Sequence, residues 1–239
     1  MSTTRAYLPP QESEGFGSDL AGMFAFFVDP AAAARRLPRK WFWVAPFVVV
    51  IAVAVIAGFL LEPIIRQASA LMPMRPGATS AQHQRAIDIG IAAQRIFTPI
   101  SIAVMIFIEA LIVYGTAVAF SIKSRFGEFL NLLAGCSLIS VVLTYIANTI
   151  ILRSKGEISS IADLTPPLGL DVLLPNDANK VLAGFLGYFS IFQIWWIVMI
   201  VLIVSAAFRV SKGKALAIVA PLILLSLIMR IAVTVSRGH

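Results

Sequence analysis

Five stretches of mostly apolar residues, separated by polar breaks, constrain this chain more than any other feature. They run from Trp43 to Leu61, Phe97 to Ile122, Phe129 to Leu152, Leu182 to Phe208 and Ala215 to Val235. A helix that crosses a bilayer needs about 20 such residues, because it rises about 1.5 Å per residue across about 30 Å of hydrocarbon. Composition agrees: 59% of the chain is hydrophobic and 13% charged, against about 25% charged in a soluble domain. A soluble fold of this length has too little interior to hide so much apolar surface, so lipid must cover part of it. The expected fold is an all-α membrane protein, a five-transmembrane-helix bundle spanning residues 43–235. The connectors at Lys123–Glu128 and Arg209–Lys214 are short, so spans two and three, and four and five, should form antiparallel hairpins.

Charge placement gives orientation. The net charge is +7, but the basic residues sit at the ends of apolar runs, where they act as topology signals and anionic-lipid contacts. No interleaved basic and aromatic strip suggests nucleic acid. Arg35, Arg36, Arg39 and Lys40, then Lys123 and Arg125, then Arg209, Lys212 and Lys214 fall on one side, in dense clusters. Basic residues on the other side are spread through the long loops 62–96, with a short helix around Ala81–Arg95, and 153–181. Density predicts a cytoplasmic N-terminus and a C-terminus outside. Ala68-Ser69-Ala70 resembles a signal cleavage site, but the apolar run before it exceeds the ~7–15 residues of a signal core, and the first run reads as a retained helix.

Residues 1–17 read as a disordered cytoplasmic tail and 236–239 as a short C-terminal one. Residues 18–42 read as an interfacial amphipathic segment, with Asp19 as a helix cap. Phe24, Phe26 and Phe27 form its aromatic face in the acyl boundary, Asp29 and Pro30 interrupt it, and Trp41 and Trp43 mark the headgroup level. Phe24, Phe26, Phe27, Asp29 and Pro30 are the candidate interaction segment.

Polar residues inside the spans are the other signal. Glu109 lies near the middle of the second span, where a charged carboxylate costs roughly 2.5–3.5 kcal/mol. At helical spacing it shares a face with Ser101, Thr116 and Lys123. The third span carries Ser137, Ser140, Thr144 and Asn148, the fourth Gly184, Gly187, Ser190 and Gln193, and the fifth Ser226, Arg230 and Thr234. Lipid satisfies none of these hydrogen bonds, so the faces should turn toward one another. One reading is a polar pocket built from Glu109, Thr144, Asn148, Gln193 and Arg230, with Glu109 and Arg230 as its charges. The other is interhelical glue, with Arg230 snorkelling outward. The first span is almost pure Val, Ile, Ala and Phe and is placed at the periphery. Cys136 reads as packing. With one cysteine and two remote histidines, His83 and His239, no metal-ligand spacing exists, and no catalytic or cofactor motif appears. No cofactor is expected.

The order of features resembles a known family. Phe26-Phe27-Val28-Asp29-Pro30, Arg35-Arg36 and Lys40-Trp41-Phe42-Trp43 lead into the first span. Phe126-Gly127-Glu128-Phe129 opens the third. Phe192-Gln193-Ile194-Trp195-Trp196 and Val210-Ser211-Lys212-Gly213-Lys214-Ala215 mark the fourth and fifth. Over about residues 20–235 the chain resembles the Yip family (Ypt/Rab-interacting-protein family), particularly its short prokaryotic members. It lacks the long N-terminal region of the eukaryotic branch, so a GTPase role does not carry over. The resemblance implies a five-helix domain in the bacterial cytoplasmic (inner) membrane, in contact with lipid and with other membrane proteins or further copies of itself. The expected function is that of a non-enzymatic adaptor, assembly factor or accessory subunit. The alternative is a small transporter or ion pathway using the pocket around Glu109.

The orientation is testable by thiol accessibility. With Cys136 replaced by Ala, single cysteines at Ser124 and Ser211 should resist an impermeant thiol reagent in intact cells, and those at Ser80 and Ser160 should react. The opposite pattern overturns the orientation.

Overall fold

The computed structural model describes residues 16–236 except positions 75, 157, 159, 160, 165, 167, 176 and 177. Most of the two expected tails therefore lies outside the described residues. Three short helices come first: α1 (Phe16–Met23), α2 (Ala25–Val28) and α3 (Pro30–Arg36). Asp29 caps α3, its carboxylate accepting the Ala32 N–H at 2.9 Å, and Pro30 occupies the first helical position, where a missing N–H costs nothing.

Five helices long and apolar enough to cross a membrane follow among the described residues. The first span is α4 (Val44–Ala70) and the second α5 (Ser80–Ala119). The third is one rod from Phe126 to Lys155, made of α6 (Phe126–Ser137), a π-helical turn (Leu138–Val142) and α7 (Leu143–Lys155). Then come α8 (Lys180–Tyr188), α9 (Ile191–Phe208) and α10 (Lys212–Ser236).

The observed helices depart from the apolar runs in two places. Residues 62–96 were expected as a loop with a separate short helix around Ala81–Arg95; instead α4 runs on to Ala70 and α5 is continuous from Ser80. Thr79 and Gln82 form a reciprocal cap that starts α5, with the Thr79 N–H donating to Gln82 Oε1 at 2.9 Å and the Gln82 N–H to Thr79 Oγ1 at 3.3 Å. A helix of 40 residues is about 60 Å long, about twice the hydrocarbon thickness. Charge holds this extension together: Glu62 accepts from Arg66 at 3.0 Å and from Arg95 on α5, and Arg66 reaches Asp88. Hydropathy misses such a segment because its charged residues lower the average, although Ile64 and Ala68 on α4 also pack with Leu152 and Ile158 in a small apolar cluster.

The second departure is in the fourth span, expected as one helix over 182–208. It breaks after Tyr188, where Ser190 turns extended and caps α9 by accepting the Gln193 N–H at 3.1 Å. The backbone of Gly169 pairs with Ser190 there. A Cβ on Gly169 would lie 2.7 Å from the Gly187 carbonyl oxygen, so the loop approaches this closely only through glycine.

The third span is the hub. It is the most buried of the five, and along Glu128–Ile139 only Leu130 is not buried. Phe129 stacks on Phe208 with centroids 5.1 Å apart. The first span is not peripheral. It packs on α5, α6 and α7 through small residues, Ala45, Ala54, Ala57 and Ala68, all buried. Without polar anchors, close backbone approach at alanine drives its packing.

Residues 18–42 do not present one aromatic face. Phe26 is fully buried, stacked on Phe42 at 5.7 Å. Phe27 packs edge-on against Trp195 at 6.0 Å, and the Trp195 indole N–H donates to the Phe27 carbonyl at 3.0 Å. Phe24 and Val28 remain exposed. A short helix docked on a bundle points alternate aromatics inward, so the expected face is split between core and surface.

The Phe26 ring lies on Gly135 of α6, where an added Cβ would come within 2.2 Å of it. Gly135→Ala should therefore lower the thermal stability of the purified protein, by about 1–3 kcal/mol for overpacking. Combining it with Phe26→Leu should recover part of that loss; additive losses in the cycle would show that the two sites are uncoupled.

Candidate functional site

One face of α5 and one face of the third span enclose a groove of about 510 Å³. Ser101, Met105 and Glu109 line the α5 side, and Ser137, Ser140, Thr144 and Asn148 the other. The three- and four-residue spacing of these side chains brings each set onto one stripe. The groove is open along its length, and its neighbours Val104, Phe107 and Ile108 on α5 are exposed to the surroundings of the bundle.

The polar groups in it differ in how they are satisfied. Ser137 Oγ donates to the Ala134 carbonyl at 2.7 Å, the back-bonding that makes serine tolerable in a membrane helix. Asn148 Oδ1 is buried and accepts no hydrogen bond. Glu109, partly buried, has no hydrogen bond and no ion pair among the described residues. A carboxyl and an amide oxygen thus share one membrane-level groove with nothing donating to them, where an unmade hydrogen bond is costly.

Of the five residues expected to cluster, Glu109, Thr144 and Asn148 come together and the other two do not. Gln193 Nε2 donates to the Tyr188 hydroxyl at 3.1 Å, across the break in the fourth span. Tyr188 lies within electrostatic range of Glu109, so this pair borders the site without lining it. Arg230 sits at that break instead: a Cβ on Gly187 would be 3.1 Å from Asp171 Oδ2 and 3.4 Å from Arg230 Nη2. No Glu109–Arg230 ion pair forms. Thr116 and Thr234 donate to the Ile112 and Arg230 carbonyls within their own helices.

A second polar site went unnoticed in the sequence. Asn131, almost fully buried, accepts the Trp43 N–H at 2.8 Å and donates to the Leu37 and Arg39 carbonyls at 2.8 and 2.6 Å. It ties the turn before the first span to the start of the third. Its one signal was an asparagine on the otherwise apolar run Phe129–Ala134, a pattern shared by ordinary helix glue.

With this geometry in place, the family can be decided. The Yip1 domain matches residues 24–233. The chain belongs to the Yip1 family. No curated protein and no solved structure matches it. The match begins at Phe24, so the docked aromatic segment is part of the Yip1 domain, and it ends beyond Arg230, taking in the groove and the broken fourth span.

The two asparagines make a matched test. Asn131→Ala removes three hydrogen bonds and strands buried backbone groups, and should cost about 3 kcal/mol in unfolding measurements. Asn148→Ala removes an amide that bonds to nothing and should change stability by less than about 0.5 kcal/mol. Equal losses would mean that the Asn131 bonds do not hold the turn.

Proposed function

We infer that this Yip1-family protein is a non-enzymatic partner-binding protein of the membrane, an adaptor, assembly factor or accessory subunit. One observation carries the reading: Glu109 and Asn148 face an open groove with no donor of their own. Lipid chains offer no hydrogen bonds, whereas a partner's transmembrane helix bearing hydroxyl, amide or cationic side chains does. The polar groove, rather than the aromatic segment, is therefore the docking surface, since Phe26 is committed to the core. The basic clusters support a cytoplasmic N-terminus and a C-terminus outside, and the family's short prokaryotic members support a bacterial inner membrane.

A transporter or ion pathway is the second reading. The interrupted fourth span favours it, because discontinuous helices beside charged groups form substrate sites in transporters. Asp171 and Arg230 lie at that interruption.

The readings separate at Met105, which is exposed beside Glu109. A photo-crosslinking residue there should yield an adduct with another membrane protein in cells, and one at Leu224, exposed on α10, should not. Glu109→Lys should abolish the adduct by leaving an unpaired cation in the groove, and Glu109→Gln should preserve most of it. No protein adduct at Met105, together with solute flux in proteoliposomes that Glu109→Gln stops, would overturn the adaptor reading.

A further inference from the structure

At the end of the bundle where the first span begins, a cleft of about 360 Å³ opens between the turn Leu37–Trp43 and the start of α6. Three cations line it, Arg39, Lys40 and Arg125, together with Trp41 and Trp43 and the buried Asn131. Glu128 also reaches it, its carboxylate accepting the Arg125 N–H at 3.2 Å. Lys40 and Arg125 give its rim a positive edge. The rim is built rather than loose: the three Asn131 hydrogen bonds fix the turn. Trp41 is held at φ 73° and 63% exposed, a backbone conformation that a bulky residue adopts only where the surroundings impose it. Its ring meets Trp43 at 6.3 Å and lies under the Lys40 ammonium at 6.0 Å. Tryptophans seek the headgroup layer of a bilayer, and this pair stands directly before the first apolar span.

We propose that this cleft binds the phosphate of an anionic phospholipid headgroup, with Lys40 and Arg125 holding the phosphate and Trp41 and Trp43 flanking the glycerol region. Cations alone would attract any anion. The tryptophans at the edge of a span commit the site to an anion that arrives on an acyl chain.

The test uses the full-length protein in detergent and in nanodiscs. Wild type should retain phosphatidylglycerol over phosphatidylcholine, read by native mass spectrometry. Lys40→Gln/Arg125→Gln should bind phosphatidylglycerol roughly thirtyfold more weakly, about fivefold for each cation. Lys40→Arg should bind as wild type. Arg209→Gln/Lys212→Gln, which removes cations outside the cleft, should keep the preference. Equal weakening by that control would show diffuse attraction and overturn the site. Displacement of the lipid by inorganic phosphate as readily as by phosphatidylglycerol would also overturn it, because the occupant would then be a soluble anion. Should the double variant fold poorly, the wild type decides alone: equal retention of the two lipids ends the proposal.

Discussion

The contact between Phe26 and Gly135 is the constraint on which the rest of the arrangement depends. A helix surface inside a bundle is normally closed by side chains; at Gly135 it is open, and a whole ring fills the space. That contact fastens α2 to the third span, and Phe42 stacked behind the ring carries the fastening to the start of the first. Burying such a ring contributes about 1.5–3 kcal/mol, and it is gained only if the third span shows a bare backbone at that position.

Around this hub the helices are held by different means. The first span has only small apolar residues and closes by backbone approach, while its continuation beyond the apolar run is held by Glu62, Arg66, Asp88 and Arg95. Surface ion pairs contribute little singly, but Glu62 shared by Arg66 and Arg95, with Arg66 also on Asp88, links four side chains into a network across two helices. The fourth and fifth spans meet where Gly184 lies 3.0 Å, by its would-be Cβ, from the Ile231 backbone. Each device suits its surroundings: charge where water reaches, glycine and alanine where it does not.

The five spans were legible because bilayer thickness imposes a length on apolar runs. The helix around Ala81–Arg95 was legible too, but not its continuity with the second span, since Gln82, Arg85 and Asp88 are polar and their segment lies outside the apolar run. The break in the fourth span was hidden. Residues 182–208 read as continuous apolar sequence, and the break lies where Ser190 caps α9 and pairs with distant Gly169. At the groove, Glu109 lies with Thr144 and Asn148 because each stripe follows helical periodicity along its own helix. Spacing could not place Arg230 or Gln193, whose positions depend on how three helices rotate against one another. Asn131 was missed because its partners lie 88 to 94 residues away.

The π-helical turn at Leu138–Val142 has a consequence beyond local geometry. Such a turn carries one residue more than an α-helical path would, and one residue is worth about 100° of rotation. Ser137 and Ser140, before and within the turn, and Thr144 and Asn148 beyond it all line the one groove. The groove is therefore encoded by counting as well as by chemistry. Deleting a single apolar residue from 138–142 would alter none of its polar side chains and barely shorten the span, yet it would turn the lower half of the third span to a different neighbour. In descent, one inserted or lost codon at this place would exchange which surface of the protein is polar, a larger change than most substitutions there bring.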